Sequence, residues 1–177
     1  MERLNLEVSD TLKVRIKKLH KDAVIPKYAK AGDAGLDLTA TSMEYDEDGN
    51  WVYGTGLAFE IPEGYVGMLF PRSSNAKTNM YLTNSVGILD SGYRGEVMFK
   101  YKTVHNVSNY LRHWWYAKVL KRKGYEAHID CITHKAYRVG DRIGQIIILP
   151  YPQIEFVEVD ELSETERGTG GYGSSGR

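Results

Sequence analysis

The chain has 177 residues, and its 23 lysines and arginines balance 23 aspartates and glutamates, so its formal net charge is zero. This length fits one domain with a buried core, and the neutral charge argues against a nucleic-acid-binding protein, because such proteins are usually basic. The single cysteine excludes an intrachain disulfide and favours a reducing cytoplasm, and the charged N-terminus and short apolar runs predict neither a signal peptide nor a membrane span.

Alternating apolar and polar residues predict many short β-strands. Leu12, Val14 and Ile16 alternate with basic residues, which is the pattern of a half-buried strand. Polar turns such as 62–64 separate the strands. Further predicted strands cover residues 36–38, 51–60, 65–70, 80–82, 86–89, 96–103, 143–149 and 155–159. This spacing favours an all-β sandwich or barrel, with residues 1–177 forming a single domain.

Two aspartates belong to the motif AGDAGLDL at residues 31–38. Asp33 and Asp37 are four positions apart, so in an extended strand they share one face. Two such carboxylates suit a hydrated Mg²⁺, which keeps most of its waters and needs few protein ligands. The alternative is that both are ordinary aspartates at the edge of a strand.

The motif PRSS at residues 71–74 follows an apolar strand and precedes a predicted helical turn at 75–79. Arg72 supplies positive charge, and the two serines supply hydroxyl and N–H groups, so the motif suits an anion. A serine that simply caps the helical turn explains the same residues equally well.

Residues 86–97 are predicted to form a β-hairpin around an Asp-Ser-Gly turn. The turn chemistry rests on Gly92, which accommodates a positive φ, and on Asp90, which can bond its own backbone. The turn sets Asp90 three residues from Tyr93. On local chemistry alone this is an ordinary solvated turn, so a functional role depends on the rest of the chain.

The segment 104–136 interrupts the β-pattern. Residues 108–123 predict an amphipathic helix, because Ser108 suits an N-cap and apolar residues recur every four positions. Tryptophans beside basic residues make the segment either a loop packed on its own chain or a surface for a protein partner. Three residues spaced by three are metal-ligand types, but without a fourth ligand nearby they argue against a zinc site. These residues are His128, Cys131 and His134.

Two features near the end of the chain point to a ligand. Gln145 stands among isoleucines, so its amide needs either a backbone partner or a bound molecule. The glycine-rich tail 167–177 is predicted to be a flexible terminus. Its glycine N–H groups also suit an anion, with Arg167 adding charge and Tyr172 able to stack on a base, as in a lid that closes over a substrate.

Five motifs, taken in chain order, resemble those of the trimeric dUTP diphosphatases. They are AGDAGLDL (31–38), PRSS (71–74), NSVGILDSGYRG (84–95), GDRIGQ (140–145) and RGTGGYGSSG (167–176). The resemblance covers almost the whole chain apart from 104–136. It implies a distorted jelly-roll or β-clip fold and a homotrimer with shared active sites. It also implies hydrolysis of dUTP to dUMP and pyrophosphate with Mg²⁺, which limits uracil in DNA and supplies dUMP for dTMP synthesis.

The resemblance implies a role for each matching residue. Asp90 is the catalytic base that activates the water attacking the α-phosphorus. Asp37 holds Mg²⁺ through water. Asn84 and the backbone at Gly87 read the uracil edge and exclude a thymine methyl, and Tyr93 packs under the deoxyribose where a 2′-hydroxyl would clash. The phosphates and the closing tail involve Arg72, Ser73, Ser74, Gln145, Arg167, Gly170, Gly171, Tyr172, Gly173 and Ser174.

This chain departs from the family pattern at four places, none of which removes a catalytic group. The departures are Gly92 for an acidic residue, Ser74-Asn75 for Gly-Leu, Gly144 for Ala and Tyr172 for Phe. One alternative is a related dCTP deaminase, which needs a glutamate base and lacks the Asp-x-x-Tyr turn. Another is a regulatory protein acting through 104–136, since some phage members that resemble this chain in carrying an insert also act as signalling proteins. The intact motifs favour the hydrolase.

Overall fold

The computed structural model describes residues 11–103 and 136–171. Within these ranges the chain forms ten β-strands and one 3-10 turn, Ser73–Lys77. The strands are β1 (Arg15–Lys18), β2 (Leu36–Thr39), β3 (Ser42–Tyr45), β4 (Trp51–Gly54), β5 (Leu57–Glu60), β6 (Tyr65–Pro71), β7 (Met80–Leu82), β8 (Gly87–Leu89), β9 (Met98–Thr103) and β10 (Arg142–Pro150). No helix in the described ranges is long and apolar enough to cross a membrane.

The strands form two four-stranded sheets and one two-stranded pair. The first sheet has the order β2-β10-β6-β8, the second has the order β3-β4-β9-β7, and β1 pairs with β5. Every strand pair in the described chain is antiparallel. The all-β prediction is therefore confirmed, and the non-sequential strand order is that of a jelly-roll-like fold rather than a simple meander.

One buried core joins the two four-stranded sheets. The first sheet contributes Leu38, Ile143 and Ile146, and the second contributes Tyr53, Phe99 and Tyr101. The Tyr101 hydroxyl donates to the Ile143 carbonyl at 2.7 Å, so the polar end of a buried ring is satisfied. A Cβ atom at residue 144 would collide with the Phe99 ring, so Gly144 leaves the space that this ring fills.

Three of the strand predictions differ from the structure. The predicted strand 51–60 divides into β4 and β5, because Gly56 turns the chain at a φ of +65°. The strand Ser42–Tyr45 was not predicted, since all four of its residues are exposed and no apolar face marks it. Residues 155–159 were predicted as a strand, but they are exposed and pair with no strand of the described chain.

Some predictions fall outside the described ranges and stay predictions. They are the helix 108–123, most of the insertion 104–136, the three ligand-type residues within it, and the final six residues of the lid. The site residues concerned are Tyr172, Gly173 and Ser174.

Candidate functional site

Asp37 lies at the centre of a charged cluster on the first sheet. Arg72 binds it with two nitrogens, Nε to Oδ1 at 2.6 Å and Nη2 to Oδ2 at 3.1 Å. Arg142 reaches Oδ2 from the other side at 3.0 Å. The cluster therefore holds two guanidinium groups and one carboxylate, and an excess of positive charge in a forked arrangement suits a phosphate chain.

The sequence analysis did not identify Arg142 as a site residue. Three positions separate it from Gln145, which in a regular strand would put the two side chains on opposite faces. A β-bulge between Arg142 and Gly144 changes this register. Gln145 pairs with Asp37 and Arg142 pairs with Thr39, two residues further along β2, so both side chains share the face of Asp37.

Gln145 has a backbone partner in this structure. Its Nε2 donates to the Pro71 carbonyl at 3.1 Å, which ties β10 to the residue before Arg72. Its Oε1 lies so close to Gly35 that a Cβ atom there would collide with it. Gly35 is thus a further residue of this site that sequence reasoning missed, and a glycine directly before a strand is the signal for such a close approach.

The other aspartate of the same motif has a different role. The Asp33 carboxylate accepts a hydrogen bond from the Lys30 backbone N–H at 2.8 Å, so it closes a local turn. Of the two alternatives for Asp33, the structure favours the ordinary structural one, and Asp37 alone joins the arginine cluster.

The serines of PRSS sit at the start of the 3-10 turn Ser73–Lys77. Ser73 is exposed, and Ser74 is half-buried and accepts a hydrogen bond from Arg72 Nη1 at 3.3 Å. The capping position is taken by Arg72, whose side chain makes no capping bond. The alternative of a simple serine cap is therefore wrong, and the hydroxyl of Ser74 belongs to the arginine cluster instead.

A second group of predicted residues surrounds a small cavity beside the first sheet. Asn84 and Gly87 line a cavity of about 190 Å³ together with Leu69, Leu82, Thr83, Met98, Phe99 and Lys100. Its size is below the roughly 300 Å³ at which drug-sized ligand sites begin, so it suits a single ring. Between Asn84 and Gly87, Ser85 adopts a left-handed φ of 60°, which is strained for a side chain that is not glycine.

Asp90 and Tyr93 follow directly after β8. The Tyr93 backbone N–H donates to the Asp90 carbonyl at 3.1 Å, closing a turn, and the Asp90 carboxylate is exposed. The Tyr93 hydroxyl donates to the Glu96 carbonyl at 3.0 Å, and its ring lies against Gly95, where a Cβ atom would collide with it. The predicted spacing of carboxylate and ring is therefore present, and the ring is held at its hydroxyl end.

The hairpin predicted for residues 86–97 is wrong. β8 pairs with β6 in the first sheet, whereas β9 pairs with β4 and β7 in the second, so the turn crosses between sheets. Gly92 does not take the positive φ expected of it, and nothing lies within 4 Å of where its Cβ would be. A side chain at residue 92 would therefore fit without disturbing Asp90.

The two groups of site residues lie far apart in one chain. Three strand spacings of about 4.8 Å separate β2 from β8, or about 14 Å. Asp37 is level with Phe70 of β6, because both pair with Gln145. The β8 register places Asp90 level with Val66, four residues or roughly 13 Å further along β6. Measured along the sheet, Asp37 and Asp90 are thus roughly 20 Å apart.

The described part of the tail lies on the surface and bonds within itself. Residues 151–170 are almost entirely exposed, including large apolar side chains such as Ile154, Phe156 and Leu162. Arg167 Nε donates to the Gly170 carbonyl at 3.0 Å, and the Gly170 N–H donates back to the Arg167 carbonyl at 3.0 Å. Arg167 and Gly170 therefore form a local turn, and the structure does not bring them to the Asp37 cluster or to Asp90.

Comparison with known proteins bears on these two groups. The model of the dUTPase family matches residues 21–111 and 131–176, which include all five motifs. The match is interrupted within the segment that the sequence analysis interpreted as an insertion.

Named relatives and solved structures agree with this match. The deoxyuridine 5'-triphosphate nucleotidohydrolase of Rhodococcus erythropolis is 37% identical over 171 residues, which cover 96% of this chain and 89% of that protein. A mutant of Staphylococcus bacteriophage 80alpha dUTPase with dUpNHpp has a TM-score of 0.69 at 28% identity, covering 94% of this chain and 100% of the other. A mutant dUTPase from phage phi11 of S. aureus, described for its coordination of a structural Mg(II) ion, has a TM-score of 0.60 at 26% identity, covering 85% and 98%.

Proposed function

The chain belongs to the dUTPase family and hydrolyses dUTP, and from that premise we propose that two residue groups, contributed by different copies of the chain, form each active site. The reaction converts dUTP and water to dUMP and pyrophosphate. Neither a deaminase nor a purely regulatory protein is favoured, since the matched family and the named relatives are dUTP hydrolases.

We propose that the Asp37 cluster binds the triphosphate. Arg72 and Arg142 supply forked donors, Ser73 and Ser74 supply hydroxyl groups, and Gln145 supplies an amide on the same face. Both guanidinium groups share the single Asp37 carboxylate here. An incoming triphosphate offers them oxygens of higher charge, so we expect the arginines to turn from Asp37 to the substrate.

The same exchange would release Asp37 for Mg²⁺. The described residues contain no cluster of three carboxylate, histidine or cysteine ligands, which suits an ion held chiefly by substrate and water. One carboxylate acting through water is then a sufficient protein contribution, so the donor set fits. Bound Mg²⁺ would offset the charge of the triphosphate and act as a Lewis acid.

We propose that the second group binds the nucleoside and supplies the base. Asn84 and the backbone at Gly87 read the uracil edge in the 190 Å³ cavity. A close fit of the backbone around the ring would exclude the methyl group of thymine. Tyr93 packs under the deoxyribose. Asp90 takes a proton from the water whose oxygen bonds to the α-phosphorus, while the bond from that phosphorus to the bridging oxygen breaks and pyrophosphate leaves.

The separation of Asp37 and Asp90 carries the proposal of shared sites. A group that binds phosphate and a base that acts on the α-phosphorus must meet one substrate, and roughly 20 Å along the sheet is too far for that within one chain. A second copy of the chain would bring the Asp37 cluster and Asp90 together. The exposed apolar side chains of residues 154–162 provide a surface against which that copy would pack. We propose a homotrimer on this basis.

The lid and the segment 104–136 also belong to the proposal. Arg167, Gly170, Gly171, Tyr172, Gly173 and Ser174 would close over the bound nucleotide, and the exposed arm that precedes them has the length to reach a neighbouring copy. Segment 104–136 would serve a protein partner rather than hydrolysis.

Subunit complementation tests the shared site. Arg72→Ala removes a phosphate ligand and Asp90→Asn removes the base, so each variant alone should release little pyrophosphate from dUTP. When equal amounts are unfolded together and refolded, roughly a quarter of all sites combine a wild-type Arg72 with a wild-type Asp90 from another copy, and activity should return to about that fraction. Mixed trimers that stay inactive would place both residues in one chain.

Nucleotide specificity tests the reaction itself. Pyrophosphate release should be fast with dUTP and Mg²⁺ and slow with dTTP, dCTP and UTP, because the methyl, the amino group and the 2′-hydroxyl are each rejected at the second group. Equal rates with all four nucleotides would contradict the proposed recognition.

A further inference from the structure

The 3-10 turn Ser73–Lys77 is held by polar bonds rather than by buried side chains. None of its five residues is buried, and no side chain caps its start. The Asn75 side chain supplies the anchoring bonds: Nδ2 donates to the Met80 carbonyl at 2.9 Å, and Oδ1 accepts from Thr78 Oγ1 at 3.0 Å. The position of the turn therefore depends on what holds the Asn75 amide.

A buried tyrosine holds that amide from the other side. The Tyr137 hydroxyl donates to Asn75 Oδ1 at 3.2 Å. Tyr137 is 7% exposed, and its ring packs against those of Tyr53 and Tyr101 with centroids 6.1 Å and 5.5 Å away. The Tyr53 hydroxyl donates to the Tyr137 carbonyl at 3.0 Å, so the residue is fixed at its backbone as well as its ring.

The Asn75 backbone extends this connection to Arg72. The Asn75 N–H donates to the Arg72 carbonyl at 2.9 Å. The Arg72 side chain donates to Ser74 Oγ and binds Asp37. A continuous hydrogen-bonded chain thus runs from the core tyrosine to the cluster proposed to bind the triphosphate.

We propose that Tyr137 and Asn75 are positioning residues that hold the PRSS turn in the geometry that binds the triphosphate. The inference rests on the proposed function of the Asp37 cluster. It also accounts for one departure from the family pattern, since Asn75 stands where Leu is usual and supplies the oxygen that the Tyr137 hydroxyl bonds.

The affinities of two ligands distinguish a positioning role of Tyr137 from an effect on stability alone. The imido analogue dUpNHpp carries the full phosphate chain, whereas dUMP lacks the two phosphates expected at the turn. Tyr137→Phe keeps the ring and removes the hydroxyl. Calorimetry should then show that dUpNHpp binds about five- to tenfold more weakly, which is the effect of one lost hydrogen bond. The affinity for dUMP should change less than about twofold. In turnover, KM for dUTP should rise while kcat changes little.

Tyr101→Phe is the matched control. Tyr101 belongs to the same ring cluster, but its hydroxyl bonds the Ile143 carbonyl and not the turn. Both variants should lower the melting temperature, yet Tyr101→Phe should leave the ratio of the two affinities at its wild-type value. A changed ratio in both variants, or in neither, would overturn the inference.

Asn75→Leu removes the oxygen that accepts the hydrogen bond from Tyr137. It also restores the residue that is usual at this position in the family. It provides the same test should Tyr137→Phe fail to fold. The double variant should bind dUpNHpp about as weakly as the weaker single variant, and additive losses would contradict a shared link. Failure of the wild-type protein to hydrolyse dUTP would refute the proposed function, whereas an active wild type with an unchanged affinity ratio in the variants would refute the positioning role alone.

Discussion

Replacing Gly144 with alanine tests how the core supports the site. Three ring atoms of Phe99 lie within 2.9 Å of where the new Cβ would be, against about 3.5–4.0 Å for an ordinary carbon contact, so the ring must retreat by about 1 Å. Phe99 is 1% exposed and stacks on Tyr101, which leaves it little room. β10 is paired on both sides, by β2 and β6, so the backbone is equally confined.

Overpacking of this kind costs about 1–3 kcal/mol. For a chain of this size each kcal/mol lowers the melting temperature by about 2–4 °C, so Gly144→Ala should lower it by roughly 2–12 °C. Circular dichroism at one fixed protein concentration measures the shift, because the melting temperature of an oligomer depends on concentration.

A second substitution identifies the cause. Phe99→Leu creates a cavity and should destabilise the wild-type protein, but in the Gly144→Ala background it should recover stability, because the smaller side chain accepts the new methyl. A melting temperature unchanged by Gly144→Ala, or strictly additive losses in the double variant, would refute the reasoning. In this chain the Phe99 ring occupies the space that a Cβ atom at residue 144 would need.

Three further predictions concern the active site and the core. Asp90→Asn should slow pyrophosphate release by about 10²- to 10⁴-fold while calorimetry still detects dUpNHpp binding, and a fully active variant would refute the assignment of the base. Deleting residues 167–177 should strongly reduce kcat while light scattering shows an intact oligomer. An unaffected rate would contradict the closure of the tail over the substrate. Burial raises the pKa of Tyr53 and of Tyr101, so the folded protein keeps protons that the unfolded chain loses above about pH 10, and stability should fall as pH rises beyond that value. Tyr101→Phe should flatten that decline by up to about 1.4 kcal/mol per pH unit, and an unchanged slope would contradict the shift.

Local sequence patterns were enough to predict the strand-rich fold class and the residue types of the candidate site. Period-two alternation marks a half-buried strand without knowledge of its neighbours, so most strands were predicted near their true positions. The motif order identified Asp37, Arg72, Asp90 and Tyr93, because each lies in a local pattern of turn and strand residues.

The tertiary structure alone decided which of these residues meet. Alternation says which face a side chain occupies but not which strand lies beside it, since pairing and register arise from contacts between distant residues. A β-bulge that the sequence did not predict therefore places Arg142 beside Asp37. The segment predicted to be a hairpin instead crosses from the first sheet to the second. The link between Asn75 and Tyr137 joins residues 62 positions apart, and the sheet order separates Asp37 from Asp90. Local sequence carries the chemistry of each group, whereas strand pairing sets the distance between the groups, and that distance supports the proposed sharing of each site between copies.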